Sequence, residues 1–159
     1  MAEKPRHVPE GYGTLTPYII VDGAARAIAF YERAFAARDV MRLDGPAGRI
    51  GHAELEIGES KIMLADQFPD MDAHAPAHYG GSPVSLHLYV ADADATVARA
   101  LAAGATIVHE VADQFYGDRL GTIRDPFGHT WHVATRKENL TMEELRRRAT
   151  ERARQAQRE

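Results

Sequence analysis

The sequence predicts an α+β protein made of two βαβββ copies followed by a C-terminal helix. Three observations carry that prediction. A strand-then-helix hydrophobic pattern occurs twice, each copy closes on two strand-like runs joined at a glycine turn, and a charged amphipathic segment follows the second copy.

Residues 1–11, MAEKPRHVPEG, lack the apolar core of a signal peptide and read as an N-terminal tail. The first copy spans residues 12–66. Leu15, Pro17, Ile19 and Val21 alternate as one face of a strand, and Ala27, Ile28, Tyr31 and Phe35 then follow at helical spacing. The copy ends in AELEIGESKIMLAD, two strand-like runs that turn at Gly58. Residues 67–82, rich in Pro, Gly, Asp and His, form the expected linker, with His74 and His78 solvated in it. The second copy spans 83–136. Val84, Leu86, Leu88 and Val90 alternate, Val97, Ala100 and Leu101 take helical spacing, Gly104 stops the helix, and TIRDPFGHTWHVAT turns at Gly128. That turn is expected to leave His129 facing solvent, with Trp131 in the core. In residues 137–159, Thr141 and Glu144 fit a capping box of the T-x-x-E type, and Leu145, Ala149 and Ala153 make a narrow apolar stripe.

Composition bounds the function. With 45% hydrophobic residues among 159, a real core can be buried. A net charge of −4 gives no general reason to expect nucleic acid, a membrane surface or acidic partners. The arginines at 146–148, 152, 154 and 158 are interleaved with glutamates and have no aromatic residue to stack on bases, so they read as a solvated helix face. The absence of cysteine excludes a disulfide, a zinc–thiolate cluster and a thiol nucleophile. No apolar run approaches the roughly 20 residues of a spanning helix, and no glycine-rich loop follows a strand to hold S-adenosylmethionine or a dinucleotide. The expectation is a soluble cytoplasmic protein with a small-molecule ligand.

The two copies, the opening YIIVDGAARAIAFYERAF, the segment DQFYGDR and the closing hairpin DPFGHTWHVAT resemble the vicinal oxygen chelate superfamily, the glyoxalase/bleomycin resistance/dioxygenase fold. Within it the similarity is closest to the PhnB-like branch and covers about residues 12 to 136. The resemblance implies two modules forming an open, cupped mixed sheet with helices on its outer face. It also implies frequent homodimers, sometimes with exchanged modules. In the metallo-enzymes of the superfamily, one divalent metal sits in the cup on four ligands, usually His or Gln and Glu, from the first and last strands of each module. The matching positions here are Thr16, Met63, Ser85 and His132. Hydroxyls and a thioether are poor substitutes for imidazole and carboxylate around a divalent cation, so no metal and no cofactor are expected.

Strand alternation names the groups on the concave side. Opposite the apolar residues lie Thr16, Tyr18 and Ile20 in the first strand, and His52, Glu54 and Glu56 in GHAELEIG. In the second copy the same side takes Ser85, His87 and Tyr89, then Thr130 and His132. The segment from Asp113 through Gln114, Tyr116 and Asp118 to Arg119 is expected near the cavity mouth in the family's architecture. There Arg119 either holds an anionic group or locks the loop or a dimer contact with Asp118. The ligand-binding candidates are Tyr18, His52, Glu54, Met63, Ser85, His87, Tyr116, Arg119 and His132. Their bland reading is a solvated edge strand for His52, Glu54 and Glu56, and hydrogen-bonded structural histidines at 87 and 132.

These residues favour a glyoxalase/bleomycin-resistance-like protein that binds a small organic molecule without the usual metal. An alternative is a metal-independent acid–base enzyme, of isomerase or lyase type, with His87, His132 and Glu54 as its catalysts. A further one is a metalloenzyme with the rearranged ligand set His52, Glu54, His87 and His132. Sequence leaves these open, as it does the ligand and the dimer arrangement.

Overall fold

A computed structural model describes residues 4–158. The chain divides into two compact units, Met1–Ser82 and Pro83–Glu159.

In the first unit the order is β1 (Tyr18–Val21), α1 (Ala24–Phe35), β2 (Arg38–Asp44), β3 (Ile50–Ile57) and β4 (Ser60–Asp66). The four strands form one sheet in the order β1-β4-β3-β2. β1 runs parallel to β4, which the α1 crossover permits, and the remaining pairs are antiparallel. Helix α1 buries Ala27, Ile28, Tyr31, Ala34 and Phe35 in the same core as Ile19, Val21, Ala53, Leu55 and Leu64 of the sheet. Its aromatic residues lock against one another, with Tyr31 and Phe35 stacked and Phe30 edge-on to both. The Asp66 carboxylate, at the end of β4, accepts the N–H groups of Gly23 and Ala24 at 2.9 and 2.8 Å and that of Ile50 at 2.8 Å. It thereby satisfies orphan donors at the start of α1 that no N-cap side chain serves.

The second unit repeats the plan with β5 (Ser85–Tyr89), α2 (Ala93–Ala102), β6 (Thr106–Asp113), β7 (Asp118–Arg124) and β8 (Thr130–Arg136), followed by α3 (Met142–Ala156). Its sheet order is β5-β8-β7-β6, again with the first strand parallel to the last. The core is lighter, made by Ala93, Val97 and Ala100 of α2 with Ile123, Trp131 and Val133. Asp92 caps α2 through the Ala95 N–H at 2.9 Å, and Thr135 Oγ1 accepts from the Ala93 N–H at 2.8 Å while donating to the Val90 carbonyl. In the β7–β8 turn Asp125 accepts from the backbone of Phe127 and His129 and from the Trp131 indole N–H at 2.9 Å.

Several local expectations are corrected. The alternation at Leu15 and Val84 begins ahead of the strands, which open at Tyr18 and Ser85. Both side chains are therefore exposed, at 90% and 64%. His129 is buried instead of solvated, because Asp125 draws its backbone into the turn. His74 is half-buried and its ring stacks on His78 at 3.8 Å, in a segment that also carries two 3-10 turns and a Phe68–Ala73 bridge. Thr141 caps α3 by accepting from the Glu144 N–H at 3.2 Å. The Glu144 carboxylate, however, turns outward to Arg147 and Arg148 and does not complete a capping box. Arg148 also grips Glu138 and the Phe115 carbonyl, so α3, which has no buried residue, is held by charge. Among the described residues no helix is long and apolar enough to cross a membrane.

Candidate functional site

Each sheet has one face covered by its helix and one open face, and strand register decides which side chains meet on the latter. In the first unit the row runs Tyr18–Met63–Glu54–Met41, with His52 opposite Leu43 in the next. Tyr18 Oη lies 2.9 Å from His52 Nδ1, and His52 Nε2 lies 3.0 Å from Glu54 Oε1. A carboxylate only accepts, so Nε2 carries the proton; in the neutral imidazole Nδ1 then accepts from the Tyr18 hydroxyl. Burial raises the pKa of the Tyr18 phenol, which keeps it a donor. Toward the far end of the same face, Glu56 bonds Lys61 and Arg38, both at 2.9 Å. Those two cations, Lys61 first, hold its carboxyl below the usual range.

In the second unit the corresponding row is His87–His132–Thr122–His109. His132 Nδ1 is 2.9 Å from Thr122 Oγ1 and its Nε2 is 3.1 Å from Ser85 Oγ. Hydroxyls on both sides satisfy either tautomer of a neutral ring. Burial, and then the nearby His87 and His109, lower the His132 pKa, so the imidazole is uncharged at neutral pH. The His87 ring lies 5.9 Å from His132 and 4.8 Å from Tyr89. Tyr89 donates to the buried Asp118 at 2.8 Å, a bond that raises the pKa of its phenol. Tyr116 sits beside the same carboxylate, and burial followed by the Asp118 charge raises its phenol too. An open depression of ≈ 550 Å³ is lined by Tyr89, Val90, Ala91, Thr135 and Arg136.

The structure thus brings Tyr18, His52, Glu54 and Met63 onto one open face and Ser85, His87 and His132 onto the other, with Tyr116 next to Tyr89 and Asp118. Arg119 is not with them. In β7 the buried Gly121 and Ile123 share its side, whereas Thr122 shares a side with His132. Its guanidinium is instead bidentate to Asp94 of α2 at 2.6 and 2.9 Å and bonds Asp113 at 3.1 Å, pairings that raise its pKa beyond the ordinary arginine range. Sequence reasoning missed Thr122 and His109. Counting back from the Gly128 hairpin would have paired Thr122 with His132, whereas β6 has no alternation to reveal His109.

The donor chemistry at the four family metal positions does not fit a divalent cation. Thr16 precedes β1, Met63 offers a thioether, and His132 has both ring nitrogens engaged, one of them by Ser85. His52 and Glu54 belong to the first unit and His87 and His132 to the second. In neither unit do three His, Asp or Glu among the described residues form a group that could hold a metal ion.

Two βαβββ units, each with a helix-backed mixed sheet and a polar, aromatic open face, define an α+β class of fold built on a repeated module. The model of the Glyoxalase/Bleomycin resistance protein/Dioxygenase superfamily matches residues 12–133, and the chain belongs to that superfamily. It is 44% identical over 134 residues to the uncharacterized protein Rv0887c of Mycobacterium tuberculosis, covering 82% of this chain and 79% of that protein. The crystal structure of the Arabidopsis thaliana gene product At5g48480 is similar with a TM-score of 0.63 at 29% identity, over 77% of this chain and 98% of that one. TioX from Micromonospora sp. ML1 aligns with a TM-score of 0.60 at 27% identity, over 81% and 100%. The fosfomycin resistance protein FosX of Listeria monocytogenes, at 14% identity and a TM-score of 0.63 over 84% and 97%, shares the fold.

Proposed function

We infer that this chain is a glyoxalase/bleomycin-resistance-like protein of PhnB-like type that binds a small organic molecule on its open sheet faces, as a homodimer, with neither the family's metal nor another cofactor. One observation carries the reading. His132, at a position where metallo-relatives place a ligand, is an uncharged imidazole bonded by two hydroxyls and bordered by His87. Such a group orients a ligand by hydrogen bonding, while aromatic and thioether neighbours supply apolar contact.

Thermal-shift screening of a small-molecule library, with recovery of each hit after long incubation, tests this reading. The expected outcome is a stabilising compound recovered unchanged, with affinity reduced in His132→Ala. Stoichiometric metal in protein purified without chelator, removed by the same substitution, would overturn it. The bonded series Tyr18–His52–Glu54 favours a second reading, an isomerase- or lyase-type acid–base enzyme. A hit converted to an isomer or cleavage product would select it.

A further inference from the structure

The reading above leaves the class of ligand open, and the first unit narrows it. Tyr18 is half exposed, and beside a neutral His52 ring its single hydroxyl proton goes to Nδ1, because Glu54 takes the proton of the other ring nitrogen. What Tyr18 presents outward is therefore an oxygen with free lone pairs. A ligand hydroxyl bonds there without competition, whereas an ether or carbonyl oxygen meets another acceptor and has to break the Tyr18–His52 bond first. Apolar groups lie beside it: Met63 is the neighbour in the cross-strand row, with Met41 at the far end of that row beyond Glu54, and Ile20 is two residues along the same face of β1. Thioether side chains adapt to flat aromatic rings.

We propose that Tyr18, held as an acceptor by His52 and Glu54, selects ligands that carry a hydroxyl on an apolar, aromatic body. This selection rests on the small-molecule binding reading and adds the ligand class to it. The mirror position in the second unit is His87, whose neighbours are imidazole and phenol, so the preference belongs to the first unit.

The test compares a naphthol with its methyl ether, which differ only in the donor, by fluorescence and NMR titration of the full chain. The naphthol is expected to bind about five- to tenfold more tightly, the range of one net hydrogen bond, and to shift the His52 ring resonances. In Tyr18→Phe the preference disappears because naphthol binding falls to the level of the ether, whose affinity is unchanged. In His52→Phe the Tyr18 proton is released, so ether binding improves toward that of the naphthol. A residue that only packs the sheet would move both probes together. Equal binding of the two probes to the wild type, a preference that survives Tyr18→Phe, or no binding of either overturns the proposal. If library compounds still bind, the broader reading stands; if none does, that reading falls as well.

Discussion

Asp66 and Thr135 hold the same station in the two units: each lies on the last strand, three residues beyond Met63 or His132, and accepts the N–H of the opening helical residue, Ala24 or Ala93, at 2.8 Å. The carboxylate takes three backbone donors and the hydroxyl one, so the two are unequal in weight. Asp66→Ala, which strands all three, is expected to lower unfolding free energy by about 3 kcal/mol or more, and Thr135→Val by about 1 kcal/mol. Urea denaturation followed by circular dichroism measures both. Equal losses would contradict the duplicated-cap account.

Acid should weaken the second unit through His132. Its folded pKa is lowered from the ordinary value of 6.5 by burial, then by His87 and His109. The unfolded chain then binds more protons than the folded one, so this contribution is present above about pH 6.5 and is lost as pH falls through the lower folded value. The wild type is expected to lose more stability than His132→Gln between about pH 7 and pH 5. Denaturation midpoints at the two pH values measure the difference, and NMR titration of the ring gives the pKa directly.

Trp131 is the sole tryptophan, so its fluorescence reports the β7–β8 turn without background. Its indole N–H donates to Asp125 Oδ2 while Oδ1 takes two backbone N–H groups. Asp125→Asn turns one acceptor into a donor and is expected to cost about 2 kcal/mol. The accompanying signature is a change in Trp131 emission in the folded state. Unaltered emission and stability would remove Asp125 from the role of organising this turn.

Arg119→Met should leave ligand affinity within about twofold of wild type, because the guanidinium is on the helix side and occupied by Asp94 and Asp113. Its effect should appear as a small loss of stability that fades with added salt. A large loss of affinity in the same titration would return Arg119 to the binding face.

Strand alternation made the architecture legible. Val21, Leu55, Leu64 and Val133 sit in the core on the parity their sequence neighbours dictate. The same parity set His52, Glu54, His87 and His132 on the faces away from the helices. It could not show that Tyr18, His52 and Glu54 are bonded, since one contact reaches from β1 past β4 to β3 and the other runs along β3, and both depend on rotamers as well as on register. Between the two readings of Arg119, an anion-holding group or a structural lock, parity could not choose. DQFYGDR reads as a loop, yet β7 already begins at Asp118, and one more residue of strand reverses the side on which an arginine emerges. His129 is expected outside because a polar residue beside a glycine turn looks solvated, and only the side chain of Asp125 draws it inward.

The register equates Tyr18 with His87, Met63 with His132 and Glu54 with Thr122, so the same backbone stations carry unrelated chemistry in the two units. Asp66 and Thr135, which seat the first residue of each helix, lie off those stations, so within each unit the open face can change by substitution while its own helix stays seated.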